Sequence, residues 1–177
     1  STNLMDIRVV STLGFTDQDL SDLKAIEGVK QVEIAYETDV LTDVNGDQYA
    51  MRIHSIVDGM NELSLAEGAW PQGPNECVLS ADKVMGTLVP IGGKIYVSEG
   101  VSDLDDTLKT REMTVTGFVH SPYYFSSVSM GTTTLGSGSI EQYMYVQPEA
   151  FASDYPYTDA FITVVGAARD ALVNDLR

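Results

Sequence analysis

The stretch from Leu63 to Ser80, LSLAEGAWPQGPNECVLS, constrains this chain more than any other. Pro71-Gln72-Gly73-Pro74 can continue neither a helix nor a strand, so a defined loop must join whatever lies on either side. Ahead of it, Leu63 and Leu65 alternate with polar residues, the spacing of a short half-buried strand. Glu67-Gly68 breaks that spacing, and Ala69-Trp70 places the single tryptophan beside the loop. Beyond Asn75-Glu76, the run Cys77-Val78-Leu79 reads as a buried strand. Ser80 is placed to cap a short helix over Ala81 to Met85.

The flanking sequence supplies further elements. Ile7 to Ser11 reads as a strand. Thr16 can cap a helix over Asp17 to Ile26, whose acidic first turn suits the positive end of the helix dipole. Leu20, Leu23 and Ile26 make its apolar stripe, Gly28 closes it, and Val32, Ile34 and Tyr36 alternate as a second strand. Between Val40 and Ile56, Asn45-Gly46 is the strongest short hairpin signal in the chain. Met51, Ile53 and Ser55 share one face of that hairpin, and Arg52 and His54 the other. Lys94 to Val97, Arg111 to His120, Gln142 to Val146 and Tyr157 to Val165 read as strands. Pro148 to Phe151 reads as a helical turn and Ala167 to Leu176 as a helix start. Tyr123-Tyr124-Phe125 is the densest aromatic cluster, and the Ser-, Thr- and Gly-rich run from Ser126 to Ser139 predicts a mobile loop.

Charge and chemistry narrow the function. The net charge of -16, from 10 basic and 26 acidic residues, excludes nucleic acid as a partner, because phosphate contact needs clustered Lys and Arg. It also argues against docking on an anionic membrane surface. Cys77 is the only cysteine and lies in an apolar strand pattern, which favours a buried small hydrophobe over a nucleophile. Asp43, Asn45 and Asp47 offer oxygen ligands, but the glycine and distal glutamate of an EF-hand are missing, and a hairpin is the better reading. Asp103, Asp105 and Asp106 read as a solvated hairpin tip rather than a weak calcium site. His54 and His120 have no partner at a metal or catalytic spacing, and no G-x-S-x-G elbow occurs. The expectation is a non-enzyme with no catalytic residues, metal ligands or cofactor. No stretch reaches 18 continuous apolar residues, so no membrane span is expected within the chain.

The motifs in their order resemble the extracytoplasmic core domain of ABC-transporter permeases of the MacB/FtsX type. That family shows a loop of the form EGR-x-P-x-x-x-NE-x-VL-S, then a short helix and a (V/I)G-x-x-(I/L) strand. Pro71, Asn75, Glu76, Val78, Leu79 and Ser80 stand in the matching places, and Ala69-Trp70 stands where the family often has arginine and an apolar residue. Ile91-Gly92-Gly93-Lys94-Ile95 resembles the start of the following strand. Met113 to Val119 resembles the F-x-V-x-G strand, and His120 to Ser126 with Met130 to Thr133 resembles a segment of the Gram-positive branch.

The resemblance implies an α+β fold in which a porter-like α/β subdomain, residues 1–60 and 148–177, carries an inserted β-rich subdomain, residues 61–147. It implies both termini on the side facing a cell membrane, with this domain outside the cytoplasm. The work would be to couple ATP-driven motion of membrane helices to export or extracellular signalling. A cognate ATP-binding subunit or domain and a second permease copy are the implied partners, with a peptide, lipid or protein outside the cell as a further one. Trp70, Tyr123, Tyr124, Phe125 and Met130 are the candidate contact residues. The alternative is a secreted ligand-binding or adhesion module using the same aromatic loop. Taken by themselves the aromatics read first as anchors of that loop to the core, with the contact surface as the functional alternative, and a hydrolase assembled from distant residues is the third reading.

Overall fold

A computed structural model describes residues 7–57, 63–81, 88–120 and 131–164. The chain is α+β and mostly sheet. It divides into two compact units: a smaller one of Ser1–Tyr36, Val57–Glu62 and Pro156–Arg177, and a larger one of Glu37–Ile56 and Leu63–Tyr155.

In the smaller unit, β1 (Ile7–Phe15), α1 (Asp17–Ala25), β2 (Val29–Ala35) and β10 (Tyr157–Val164) form a three-stranded antiparallel sheet in the order β1-β10-β2 with one helix. Thr16 caps α1 as its sequence predicts. Its hydroxyl accepts from the Asp19 N–H at 3.1 Å, and the Asp19 carboxylate accepts from the Thr16 N–H at 2.8 Å. This reciprocal box satisfies two of the backbone donors that a helix start leaves open. Leu23 packs on Val32, Ala160 and Ile162, with Leu20, Ile26, Ile7 and Val9 around them. The last strand in sequence is the central strand of the sheet. Ile7 faces Ile162 across one ladder and Val29 faces Val164 across the other.

The larger unit holds β3 (Glu37–Val44), β4 (Asp47–Ser55), β5 (Ser64–Gly68), β6 (Glu76–Ser80), β7 (Lys94–Gly100), β8 (Glu112–His120) and β9 (Gln142–Val146). The order is β5-β8-β6-β9-β4-β3-β7, and β7 also pairs with β8. That last pairing closes six strands into a barrel, leaving β5 as an appendage. One edge of β8 is divided between β7, at residues 112–114, and β5, at residues 117–120. Closure removes the free edges that an open sheet exposes. The interior is mostly apolar: Val40, Met51, Ile53, Cys77, Leu79, Ile95, Val97, Met113, Val115 and Met144 are all 0% exposed, and Thr38 and Thr42 are buried beside Val40 on β3. Each such apolar side chain contributes about 1.5–3 kcal/mol by leaving water.

Several expectations are met, and several change. Asn45 and Gly46 both take positive φ, 54° and 89°, as a type I′ hairpin turn requires. The Asp43 carboxylate accepts from the Gly46 N–H at 3.0 Å, so it serves the turn. The division at residue 60 puts this hairpin with the first unit, but strand pairing puts it in the barrel: β3 pairs with β7 and β4 runs parallel to β9. The boundary at 148 moves likewise. A bridge from Leu108 to Phe151 and the bond from Ala152 N–H to the Thr107 carbonyl hold residues up to Tyr155 on the larger unit. The Asp103 to Asp106 segment is not a hairpin tip but a one-turn helix, α2 (Leu104–Thr107), capped by Asp103. Leu104 and Leu108 anchor it in the core. The helix expected after Ser80, the Tyr123-Tyr124-Phe125 cluster and the helix start from Ala167 lie outside the described residues.

Candidate functional site

The motif stretch is fixed to β8 by two glycines that face each other. Gly68 of β5 is the register partner of Gly117 of β8. A methyl group on Gly117 would lie 2.5 Å from the Glu67 carbonyl oxygen and 3.0 Å from that of Ala69. Gly68 has φ +82, and a methyl there would meet the Thr116 carbonyl and come within 2.7 Å of the Gly117 Cα. Only hydrogen at both positions lets the backbones approach this closely. The gain is a tight set of bonds. Ala69 N–H donates to the Thr116 carbonyl at 2.9 Å, and the Thr116 hydroxyl donates to the Ala69 carbonyl at 2.8 Å.

The proline loop is held at its other end as well. The Gln72 N–H donates to the Glu76 carboxylate at 2.7 Å, the Gln147 amide donates to the buried Pro71 carbonyl at 2.9 Å, and Thr114 N–H donates to the Asn75 carbonyl at 2.8 Å. The Glu76 carboxylate therefore shapes the loop, whereas Asn75 contributes its backbone carbonyl. Trp70 is half-buried and packs against a cluster of Val78, Val119, Ile140, Tyr143 and Tyr145 on the outer side of the barrel wall.

β5 departs from its expected burial. All five of its residues are exposed, and Leu65 is 37% exposed. Ser80 ends β6, and its hydroxyl donates to the Gln142 side chain.

Beside this cluster lies a polar group of residues that the sequence reading did not assemble. Arg52 of β4 binds Asp39 of β3 through two nitrogens, at 2.7 and 3.1 Å, and reaches Glu37 at 3.3 Å. It also donates to the Thr132 carbonyl at 2.9 Å. The two carboxylates hold the guanidinium proton tightly and push its pKa further up, with the Asp39 bonds the main cause. His54 is half-buried, stacked on the Tyr145 ring at 5.6 Å and tilted on Tyr143 at 5.7 Å, with Nδ1 3.5 Å from Glu37. The signal for this group was present: counting outward from Asn45-Gly46 sets Asp39 opposite Arg52 and Glu37 opposite His54. What no local signal shows is the parallel pairing that brings Tyr143 and Tyr145 beside them.

Residues 131–139, expected to be a mobile loop, form a closed hairpin. Thr132 bridges Ser139, Thr133 N–H donates to the Gly138 carbonyl at 3.0 Å, and Ile140 N–H donates to the Gly131 carbonyl at 2.9 Å. Arg52 ties this hairpin to the barrel wall. Of the candidate contact residues, Trp70 stands on that wall, and Tyr123, Tyr124, Phe125 and Met130 lie outside the described residues. Cys77 faces the barrel interior, and burial pushes its thiol far above the ordinary range, which suits an inert hydrophobe. Among the described residues no helix is long and apolar enough to cross a membrane.

No protein-family model and no curated protein matches the chain. Among solved structures, it is similar to the extracellular domain of the noncanonical ABC-type transporter YknZ from Gram-positive bacteria. The TM-score is 0.52 at 14% identity, over 94% of this chain and 86% of that one. It also matches the periplasmic region of MacB from Actinobacillus actinomycetemcomitans, with a TM-score of 0.48 at 10% identity, over 95% of this chain and 75% of that one. At such identities the likeness is one of fold, and the fold is the one that the motif resemblance implies.

Proposed function

We propose that this chain is the extracytoplasmic domain of an ABC-transporter permease, and that it passes ATP-driven motion of membrane helices to export or to an extracellular partner. The observation that carries the reading is the fold likeness to the YknZ extracellular domain over nearly the whole chain. The strand ends add support. A domain inserted between two membrane helices is loaded at two points near one bilayer surface. Here the start of β1 and the end of β10 lie side by side in one ladder.

The assigned work is mechanical, and no bond is made or broken in this domain. The ATP-binding subunit or domain acts through the full-length permease, paired with a second copy. The porter-like part is the smaller unit, and the barrel is the inserted part. Trp70, Tyr123, Tyr124, Phe125 and Met130 are the proposed contact surface for a peptide, lipid or protein outside the cell. Aromatic side chains suit that task because they offer large area at low entropic cost.

The test uses the exposed hairpin residue Asp47 in the full-length protein. Asp47→Cys should react with a membrane-impermeant maleimide on intact cells, with buried Cys77 silent. Labelling that appears only after lysis overturns the reading. So does a full-length gene lacking apolar stretches of about 20 residues on both flanks.

A further inference from the structure

We propose that the smaller unit is a two-stage zipper, which takes up tension applied through β1 and β10 while the barrel stays unloaded. A force-limiting role in a permease would rest on the function proposed above. The mechanical property rests on strand order alone, so the two can fail separately.

Tension between Ile7 and Val164 bears first on the β1–β10 ladder, the hydrogen-bonded pairing that joins the two ends. The two strands are antiparallel and both points lie at the same end of the pair, since Ile7 faces Ile162. The ladder is therefore pulled open from that end, one rung after another. The rungs are Ile7 with Ile162, Arg8 with Phe161, Val9 with Ala160 and Val10 with Asp159. The ion pair of Arg8 with buried Asp159, at 2.7 Å, crosses the same ladder. A register shift then separates Val10 from the last rung, Phe15 with Tyr157.

Once β1 has peeled away, tension runs through α1 to Val29. Val29 faces Val164, so β2 also meets the load at the end where β10 finishes. The second ladder opens in the same manner as the first. Only then does tension reach Glu37 and Tyr155, the first and last residues of the larger unit. There the Tyr155 hydroxyl donates to the Glu37 carbonyl at 3.2 Å, which ties the two points together. The strand order thus places the weakest loading geometry first and the closed barrel last.

Single-molecule pulling tests this with handles on introduced cysteines, since native Cys77 is buried. Asp6→Cys with Val165→Cys loads the zipper. Asp6→Cys with exposed Asp154→Cys loads β10 from its Tyr157 end and shears the same ladder, so all rungs resist together. The zipper geometry should open at a force lower by at least about twofold, because its rungs break singly. It should open in two sub-steps, residues 7–28 first and then 29–36 with 156–164. Together these release roughly 130–140 Å of chain at about 3.3–3.6 Å per residue, before any barrel event.

A third variant closes the mouth of the zipper. Facing residues of an antiparallel ladder lie about 4.5–5.5 Å apart, within reach of a disulfide. Oxidised Arg8→Cys/Phe161→Cys should therefore lose the low-force step and regain it on reduction. Equal forces in the two geometries overturn the proposal. So does a barrel that opens with or before the smaller unit, or a low-force step that survives the disulfide.

Discussion

Replacing Gly117 by alanine adds one methyl group and tests the motif glycines directly. That methyl would sit 2.5 Å from the Glu67 carbonyl oxygen and 3.1 Å from the Ala69 nitrogen, both backbone atoms that no rotamer change can move. Ordinary contact begins near 3.4 Å, so the β5 backbone must retreat by about 0.9 Å, the difference between 3.4 and 2.5. The Ala69–Thr116 bonds, now 2.9 and 2.8 Å, would then stretch past bonding range. Two lost bonds at about 1 kcal/mol each agree with the usual 1–3 kcal/mol for an overpacked site. We expect Gly117→Ala to lower the stability of the larger unit by about 2–3 kcal/mol, a midpoint fall of roughly 4–12 °C for a chain of this size.

Trp70 is the only tryptophan and lies two residues beyond Gly68, so urea unfolding followed by its emission reads the affected region. The native emission should also shift to the red. Gly46→Ala is the control. Its methyl meets nothing within 4 Å, but its φ is +89, so a cost of about 1–2 kcal/mol with unchanged Trp70 emission is expected. If Gly117→Ala stays within about 0.5 kcal/mol of the parent with the same emission, the close-approach argument is wrong.

Three further outcomes follow from the same structure. The Cys77 thiol should be inert to a disulfide reagent at pH 8 until denaturant is added. Its folded pKa lies above the unfolded value, so the unfolded state loses the proton first and stability falls above about pH 9. The slope is up to about 1.4 kcal/mol per pH unit and should be smaller in Cys77→Ala, measured by urea titration across pH. Arg52→Met removes the cation that Asp39 binds through two bonds, in a setting where Arg52 is 21% and Asp39 15% exposed. A loss of about 1.5–3 kcal/mol is expected, with faster amide exchange at Ile140 as the 131–139 hairpin loosens; unchanged exchange would show that Arg52 does not hold it. Ile53→Ala, inside the barrel, should cost about 2–5 kcal/mol, while Leu65→Ala on exposed β5 should cost under about 1, both by chemical denaturation.

Local features of this fold were legible in the sequence, and long-range closure was not. Thr16 with Asp19, Asn45-Gly46 and the Cys77-Val78-Leu79 run each announce an element through chemistry within a few residues. Whether β4 pairs with β9, some 90 residues away, leaves no comparable trace, because alternating apolar residues suit an open sheet and a barrel equally. The hairpin was therefore recognised but placed in the wrong unit. Leu65 has strand chemistry, yet β5 runs along the outside of β8, where one face has little to pack on. The Asp39–Arg52 pair could have been read from the turn register. The hairpin of residues 131–139 could not, since its Ser, Thr and Gly composition describes an open loop equally well.

The central position of β10 bears on how the protein is made. The ribosome releases β1, α1 and β2 before the barrel strands, yet their sheet lacks its middle strand until β10 emerges. The intervening residues that build the barrel are by then complete and free to fold. Leu23 and Val32 must wait for Ala160 and Ile162, so the smaller unit completes its sheet after the barrel residues have been made. Truncation just after Tyr155 leaves an intact barrel attached to three orphaned elements with uncovered apolar surface, a natural target for chaperones during synthesis.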